Sequence, residues 1–370
     1  MYIRSIQKQI ESKFGKKKAI IIFGPRQVGK TTLIEHILKN QSYLFLNCDD
    51  PTTSSLLTNA NTEQLRALIG NYKIVFIDEA QRIENIGLTL KIITDTFKDV
   101  QLIVSGSSAL ELSNTLKEPL TGRKWEYELW PISWKEFEAS AGYLKAQQQL
   151  ELRIVYGMYP DVINRTGEEE EALKELAGSY LYKDLLAMGG IRKPEVLEKI
   201  LQALALQLGQ EVSYNELASL IGVDKKTIAT YIDLLQKAYV IFRLGSFSRN
   251  LRNEIKTNQK IYFLDTGIRN AVIGNFTPLS LRQDKGALWE NFLIAERQKK
   301  IKYERLNAHP YFWRTVQQQE IDYVENGNGI IAGYEIKWNP NAKLKAFSSF
   351  KETYNAGVRL IHHQNFRDFL

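Results

Sequence analysis

The chain has 370 residues, 44% of them hydrophobic and 25% charged, with a net charge of +7. This is an ordinary globular balance, and the length argues for two or three domains rather than one core. The mild positive excess permits a polyanionic partner without requiring one. A single cysteine, Cys48, excludes an intramolecular disulfide and fits a reducing compartment. The N-terminal segment MYIRSIQKQIESKFGKKK lacks the apolar core of a signal peptide, and no run approaches the ~18 apolar residues of a membrane span. The expectation is a soluble cytoplasmic protein without a membrane partner.

Residues 19–132 alternate short apolar runs (AIIIF, YLFLN, KIVFID, VQLIVSG) with helix-like segments, which predicts an α/β fold with a parallel, doubly wound sheet. The first run leads into GPRQVGKT, residues 24–31, and then into the helical TLIEHIL. G-x-x-x-x-G-K-T between a strand and a helix is the context of a phosphate-binding loop. Gly24 and Gly29 let backbone N–H groups turn inward around phosphate oxygens, and the helix N-terminus adds partial positive charge. Pro25, Arg26, Gln27 and Val28 complete the loop, and Thr32 follows it. Lys30 would reach the β- and γ-phosphates, and Thr31 would place its hydroxyl on Mg2+. A ligand-free Gly-rich turn is the rival reading.

KIVFIDEA, residues 73–80, ends an apolar strand in Asp78 and Glu79. Two acids at the end of a buried strand are costly unless they meet a cation or solvent. Asp78 is placed to bind Mg2+ through water, and Glu79 to polarise the water that attacks the γ-phosphate, so ATP and Mg2+ are the expected cofactors. VQLIVSGSS, residues 100–108, ends in hydroxyls. Ser107 or Ser108 can hydrogen-bond the γ-phosphate or the attacking water, or serve only as turn chemistry.

Residues 133–208 read as helical, with Trp134, Phe137, Tyr156 and Leu181 as core anchors. The acidic run at residues 168–171 reads as a solvated helix start. Residues 212–244 follow the spacing of a winged helix-turn-helix. Ser213 is the expected N-cap with Glu216 at capping-box spacing, and Leu217, Leu220 and Ile221 make an apolar face. Gly222 makes the turn, and Asp224 caps a second helix that buries Ile228, Ile232 and Leu235. Lys225, Lys226, Thr227 and Thr230 would lie on its exposed face, able to meet phosphates. Between residues 243 and 260, Arg243, Arg249, Arg252, Lys256 and Lys260 stand against Glu254 alone, with Phe247 interleaved. That pattern favours contact with DNA, and packing or dimerisation is the alternative use of such a module.

From residue 286 the order is helix, strands, helix, strand. EIDYVENGNGIIAGYEIKW, residues 320–338, alternates apolar and polar side chains around a turn-prone NGNG and predicts a β-hairpin. Glu335 and Lys337, two apart, share one face of its second strand.

GPRQVGKTTL, FIDEAQRI, LIVSGSSALEL and LTGRKWEYELWPISWKEF resemble a large prokaryotic family of AAA+-type P-loop ATPases of poorly defined function, and the resemblance covers nearly the whole chain. It implies an ATPase core with a helical lid, a winged helix-turn-helix, and a C-terminal α/β domain resembling the restriction-endonuclease, or PD-(D/E)xK, fold. The expected divisions are residues 1–165, 166–260 and 261–370. The resemblance implies Lys30, Thr31, Asp78 and Glu79 as the nucleotide site and Ser107 as the sensor after the fourth core strand. Arg123, in LTGR, is its best candidate for an arginine acting on nucleotide, in cis or across a subunit interface, with a salt bridge as the alternative.

In the endonuclease-like fold a helix Glu, a strand Asp and an E-x-K converge on one edge, which here would be Glu290, Asp322, Glu335 and Lys337. Asp322 and Glu335 offer hard oxygens to Mg2+, Lys337 would steer or activate a metal-bound water, and Glu290 would complete the shell or bind a second ion. The alternative is a hairpin whose outer face is merely charged. The expected function is Mg2+-dependent ATP hydrolysis coupled to engagement of DNA. The rivals are an ATP-regulated metal-dependent nuclease and an ATP-driven switch or remodeller acting on a protein partner, with homo-oligomerisation open in each.

Overall fold

The computed structural model describes residues 2–106, 120–181, 193–248, 259–315, 317–345 and 347–370. Ser107, Ser108, Arg249, Arg252, Glu254 and Lys256 lie outside the described residues, as does the side chain of Leu181. The chain divides into two compact units, one reaching residue 132 and one taking up from residue 133.

In the first unit, β1 (Ala19–Phe23), β2 (Leu44–Asn47), β3 (Ile74–Asp78), β4 (Gln101–Gly106) and β5 (Lys124–Glu128) form one sheet in the order β2-β3-β4-β1-β5. Every neighbouring pair is parallel, as expected. β1, β3 and β4 are buried along their whole length, which is why they read as unbroken apolar runs. Parallel strands need crossover connections: the helix Lys30–Ile37 lies between β1 and β2, and Ile86–Thr96 between the neighbours β3 and β4. Because all five strands run one way, their C-terminal ends share an edge. Ligands of open α/β sheets bind there.

The second unit opens with helices, including Trp134–Ala141, Tyr143–Tyr156 and Glu169–Glu175. Trp134 and Phe137 are buried, while Tyr156 is only half-buried, stacked on Phe276. The acidic run at 168–171 is not wholly solvated. Helical periodicity turns Glu169 inward, where it faces the buried Arg153 at 3.5 Å.

The helices Tyr214–Ile221 and Lys225–Lys237 form as expected, the second capped by Asp224, which accepts from Thr227 N at 2.8 Å and Thr227 Oγ1 at 2.7 Å. Leu217, Ile228, Ile232 and Leu235 are buried, but Leu220 is 70% exposed. The inward face of the first helix is centred on Leu217 and Ala218, and Leu220 falls beyond its border.

A seven-stranded sheet in the order β12-β11-β10-β9-β7-β8-β6 runs through the rest of this unit. Its strands are β6 (Glu211–Val212), β7 (Ile241–Ser246), β8 (Gln259–Phe263), β9 (His309–Arg314), β10 (Glu320–Gly327), β11 (Ile330–Ile336) and β12 (Val358–Ile361). The expected division at residue 260 falls inside β8. β7 pairs with β8 on one side and with β9 on the other, so the strands beside the helix pair and the C-terminal strands share one hydrogen-bonded sheet. β10 and β11 form the expected hairpin, closed by Asn328 and Gly329 with φ of 53° and 78°. Two positive φ values in a two-residue loop match the twist of the flanking strands.

Candidate functional site

The first site lies at the C-terminal edge of the parallel sheet. After Phe23 the chain turns over Gly24, whose φ is 154°. A Cβ at Gly24 would overlap the carbonyl oxygen of Leu129, so the loop's path over β5 needs glycine. Lys30 then opens the helix Lys30–Ile37. Its N-cap, Gly29, offers no capping side chain, and its first turn carries no acid. The orphan N–H groups of such a helix start are the donors that a phosphate takes up. Lys30 is 5% exposed, and its Nζ donates to the carbonyl oxygens of Gly24 at 3.0 Å and Pro25 at 2.8 Å, which holds the ammonium inside the loop. Arg26 is half-buried, Val28 is buried, and Gln27 and Thr32 are exposed.

Thr31 Oγ1 donates to Asp78 Oδ2 at 2.7 Å, and Ser105 Oγ donates to Asp78 Oδ1. Asp78 thus ties the loop after β1 to the ends of β3 and β4. Glu79 follows in the left-handed region, φ 54°, and accepts from Gln81 Nε2. The edge is electronegative: burial, then Asp78, Asp49 and Glu79, push the Cys48 thiol up to about 12. A hydroxyl beside a carboxylate in a negative field is a donor set that fits Mg2+. Ser105, which the sequence reading did not single out, supplies a hydroxyl to Asp78, and a serine inside the buried run VQLIVSG was the available signal. Ser107 and Ser108, expected to meet the γ-phosphate or the attacking water, lie outside the described residues.

Two further residues complete this picture. Arg4, 4% exposed, donates from Nη1 to Val28 O at 2.7 Å and from Nη2 to Trp130 O at 2.5 Å, bracing the loop from below. No local pattern marks it in the sequence. Arg123 is not brought to the loop. Its carbonyl accepts from Ala19 N at 2.9 Å, at the opposite end of β1 from Gly24, and its Nε pairs with Asp95 Oδ1 at 2.6 Å.

The second site lies on the hairpin. Tyr323 pairs with Tyr334 in the antiparallel hairpin, so Asp322, one residue before, and Glu335, one residue after, are cross-strand neighbours on one face. Lys337 Nζ joins them, 2.8 Å from Glu335 Oε1 and 3.3 Å from Asp322 Oδ2. Ile336 N also donates to Asp322 Oδ2 at 2.8 Å. Asp322 is 7% and Glu335 4% exposed, and Glu335 Oε2 is buried without a hydrogen-bond partner. Burial and then Asp322 raise the carboxyl of Glu335. Burial opposes the charge on Lys337, but Asp322 and Glu335 outweigh it and hold its pKa above the ordinary value. A buried, unpartnered carboxylate oxygen beside a second carboxylate fits a divalent cation.

Glu290, expected to join these residues, lies in the field of Asp322 and Lys337 but takes its direct contacts from another pair. It accepts from Tyr262 OH at 2.6 Å and lies 3.5 Å from Lys260 Nζ. Burial raises it to about 7, against the pull of Lys260. Among the described residues, no group of three or more His, Cys, Asp or Glu side chains is arranged to hold a metal ion. Three residues of the run between 243 and 260 have partners within the fold. Lys260 is 1% exposed, ion-paired with Glu320 at 2.6 Å; Arg243 faces Asp233 at 3.6 Å; and Phe247 is buried against Tyr311 and Tyr354. The partly buried Glu290 and Glu320 favour a nearby positive charge, and β8 supplies it.

Residues 16–138 match the AAA domain family, residues 147–279 a domain of unknown function (DUF8612), and residues 285–367 another (DUF4143). An uncharacterized protein of Mycobacterium tuberculosis is 28% identical over 322 residues, 86% of this chain and 70% of that protein. One from Methanocaldococcus jannaschii is 24% identical over 369 residues, 92% of this chain and 80% of that protein. The solved Walker-type ATPase of Pyrococcus abyssi aligns over 74% of this chain and 96% of its own, with a TM-score of 0.52 at 15% identity, a likeness of fold. The AAA match and the parallel sheet together support a P-loop ATPase for the first unit. No helix among the described residues is long and apolar enough to cross a membrane.

Proposed function

We propose that the first unit binds ATP with Mg2+ and hydrolyses it, and that hydrolysis is coupled to engagement of DNA. The observation that carries the ATPase reading is the hydrogen-bonded chain Thr31–Asp78–Ser105, which joins a glycine-turned loop and an uncapped helix start to two strand ends. Bound Mg2+ would neutralise charge on the β- and γ-phosphates. Thr31 and Asp78 would hold the ion, the loop N–H groups and Lys30 would orient the phosphates, and Glu79 would take a proton from the attacking water. The test is phosphate release by purified protein. Lys30→Ala should abolish turnover, and Glu79→Gln should retain ATP binding but not hydrolysis. Undiminished turnover in Lys30→Ala would overturn the assignment.

The DNA coupling is supported by the two helices Tyr214–Ile221 and Lys225–Lys237 with β6, β7 and β8, an arrangement in keeping with a winged helix-turn-helix, and by the exposed Lys225 and Lys226 at the start of the second helix. Turnover should rise with added DNA, and binding should weaken steeply with salt. Turnover indifferent to DNA, with no salt-dependent binding, would leave a protein partner as the coupled substrate. A second reading, favoured by the buried Glu335 Oε2, is a metal-dependent nuclease site of restriction-endonuclease type at Asp322, Glu335 and Lys337. Mg2+-dependent cleavage lost in both Asp322→Ala and Lys337→Ala is its signature.

A further inference from the structure

We propose that the buried ammonium of Lys260 serves as a built-in cation for the C-terminal carboxylate cluster, so that the cluster takes one divalent ion, at Asp322 and Glu335, rather than two. This rests on the second reading above, in which Asp322 and Glu335 hold an ion.

Four carboxylates from three elements are linked through their charges: Glu290 on the helix Lys285–Glu304, Glu320 and Asp322 on β10, and Glu335 on β11. Asp322 acts on both Glu290 and Glu335, and Lys260 faces Glu290 and Glu320. Buried carboxylates require neutralisation, and two lysines divide them. Lys260 is 1% exposed, with Nζ 2.6 Å from Glu320 Oε1 and 3.5 Å from Glu290 Oε1, above the ring of Phe312. Tyr262 OH donates to the same oxygen of Glu290 at 2.6 Å. Arg314 joins Glu320 to Glu211, adding one charge of each sign. An ion at Glu290 would have to displace an ammonium that has already lost its water and sits in contact with two carboxylates.

The other half of the cluster differs. The Lys337 side chain is 43% exposed, so its ammonium reaches water, and Glu335 Oε2 has no donor. Lys260 thus answers Glu320 and Glu290, and Asp322 and Glu335 are left with the part-exposed Lys337 alone.

The experiment is Mn2+ binding to the nucleotide-free full chain, followed by electron paramagnetic resonance. Ions are counted as the excess over the Asp322→Asn/Glu335→Gln double variant, which discounts any ion at the phosphate loop. One excess ion is expected in the wild type. Glu290→Gln should hold it with an affinity within about threefold of wild type, whereas loss of a ligand or its support costs about 10–100-fold. Lys260→Met should take up a second ion. A tenfold or greater loss in Glu290→Gln, two excess ions in the wild type, or a single ion in folded Lys260→Met each overturns the proposal while leaving the Asp322–Glu335 reading intact. No excess ion in the wild type overturns both. Should Lys260→Met fail to fold, Glu290→Gln decides.

Discussion

Thr31 Oγ1 lies 2.7 Å from Asp78 Oδ2, joining residues 47 positions apart in the chain. The contact exists because β1 and β3 run parallel on either side of β4, which brings the loop after one to the last residue of the other. Thr31→Ala should therefore lower ATP turnover by at least about tenfold, as expected for removing a group that positions the phosphate-bound ion. Thr31→Ser keeps the hydroxyl and should retain most of it. Steady-state phosphate release over a Mg2+ titration reads both.

Gly24→Ala should destabilise the first unit by about 2–4 kcal/mol, because the new methyl meets a backbone carbonyl rather than a movable side chain. Urea unfolding measures the loss, and the same variant should bind ATP more weakly.

Arg4→Ala should cost about 2–4 kcal/mol, since it leaves the buried carbonyls of Val28 and Trp130 short of donors. Arg4→Lys should not restore stability, because a single ammonium cannot span two carbonyls as the guanidinium fork does. Thermal melts with and without nucleotide separate lost folding from lost binding.

Arg123→Ala should change stability by no more than about 1 kcal/mol, because its pair with Asp95 is well exposed to solvent. In dilute protein it should leave ATP affinity unchanged, given its place at the far end of β1. A fall in turnover that grows with protein concentration would show the arginine acting across an interface instead.

The Asp284 carboxyl should make the second unit acid-sensitive. Burial alone would raise its pKa, but Arg282 and Arg269 hold it down at about 2. A carboxyl lowered in the folded state stabilises above its unfolded pKa and loses that contribution as pH falls through the folded value. The gap in unfolding free energy between wild type and Asp284→Asn should thus be full at pH 6 and shrink between about pH 4 and pH 2. It should not exceed about 2 kcal/mol, less a discount for partial solvent exposure.

What the sequence determined by itself is what forces acting over a few residues decide. The apolar runs AIIIF and KIVFID had to be strands buried on both faces. GPRQVGKT had to turn between strand and helix, Asp224 had to cap a helix, and an Asn-Gly pair had to close the hairpin of β10 and β11. Each depends on backbone geometry or periodicity within about one element's length. Only the tertiary structure decided which distant group answers each buried polar atom: Arg4 under the loop, Ser105 on Asp78, Asp95 on Arg123, and Lys260 between Glu290 and Glu320. It also turned Leu220 outward and Phe247 inward. A buried charge or carbonyl is satisfied by whatever lies nearest in space. That neighbour is set by strand order and register, which no local run of residues carries.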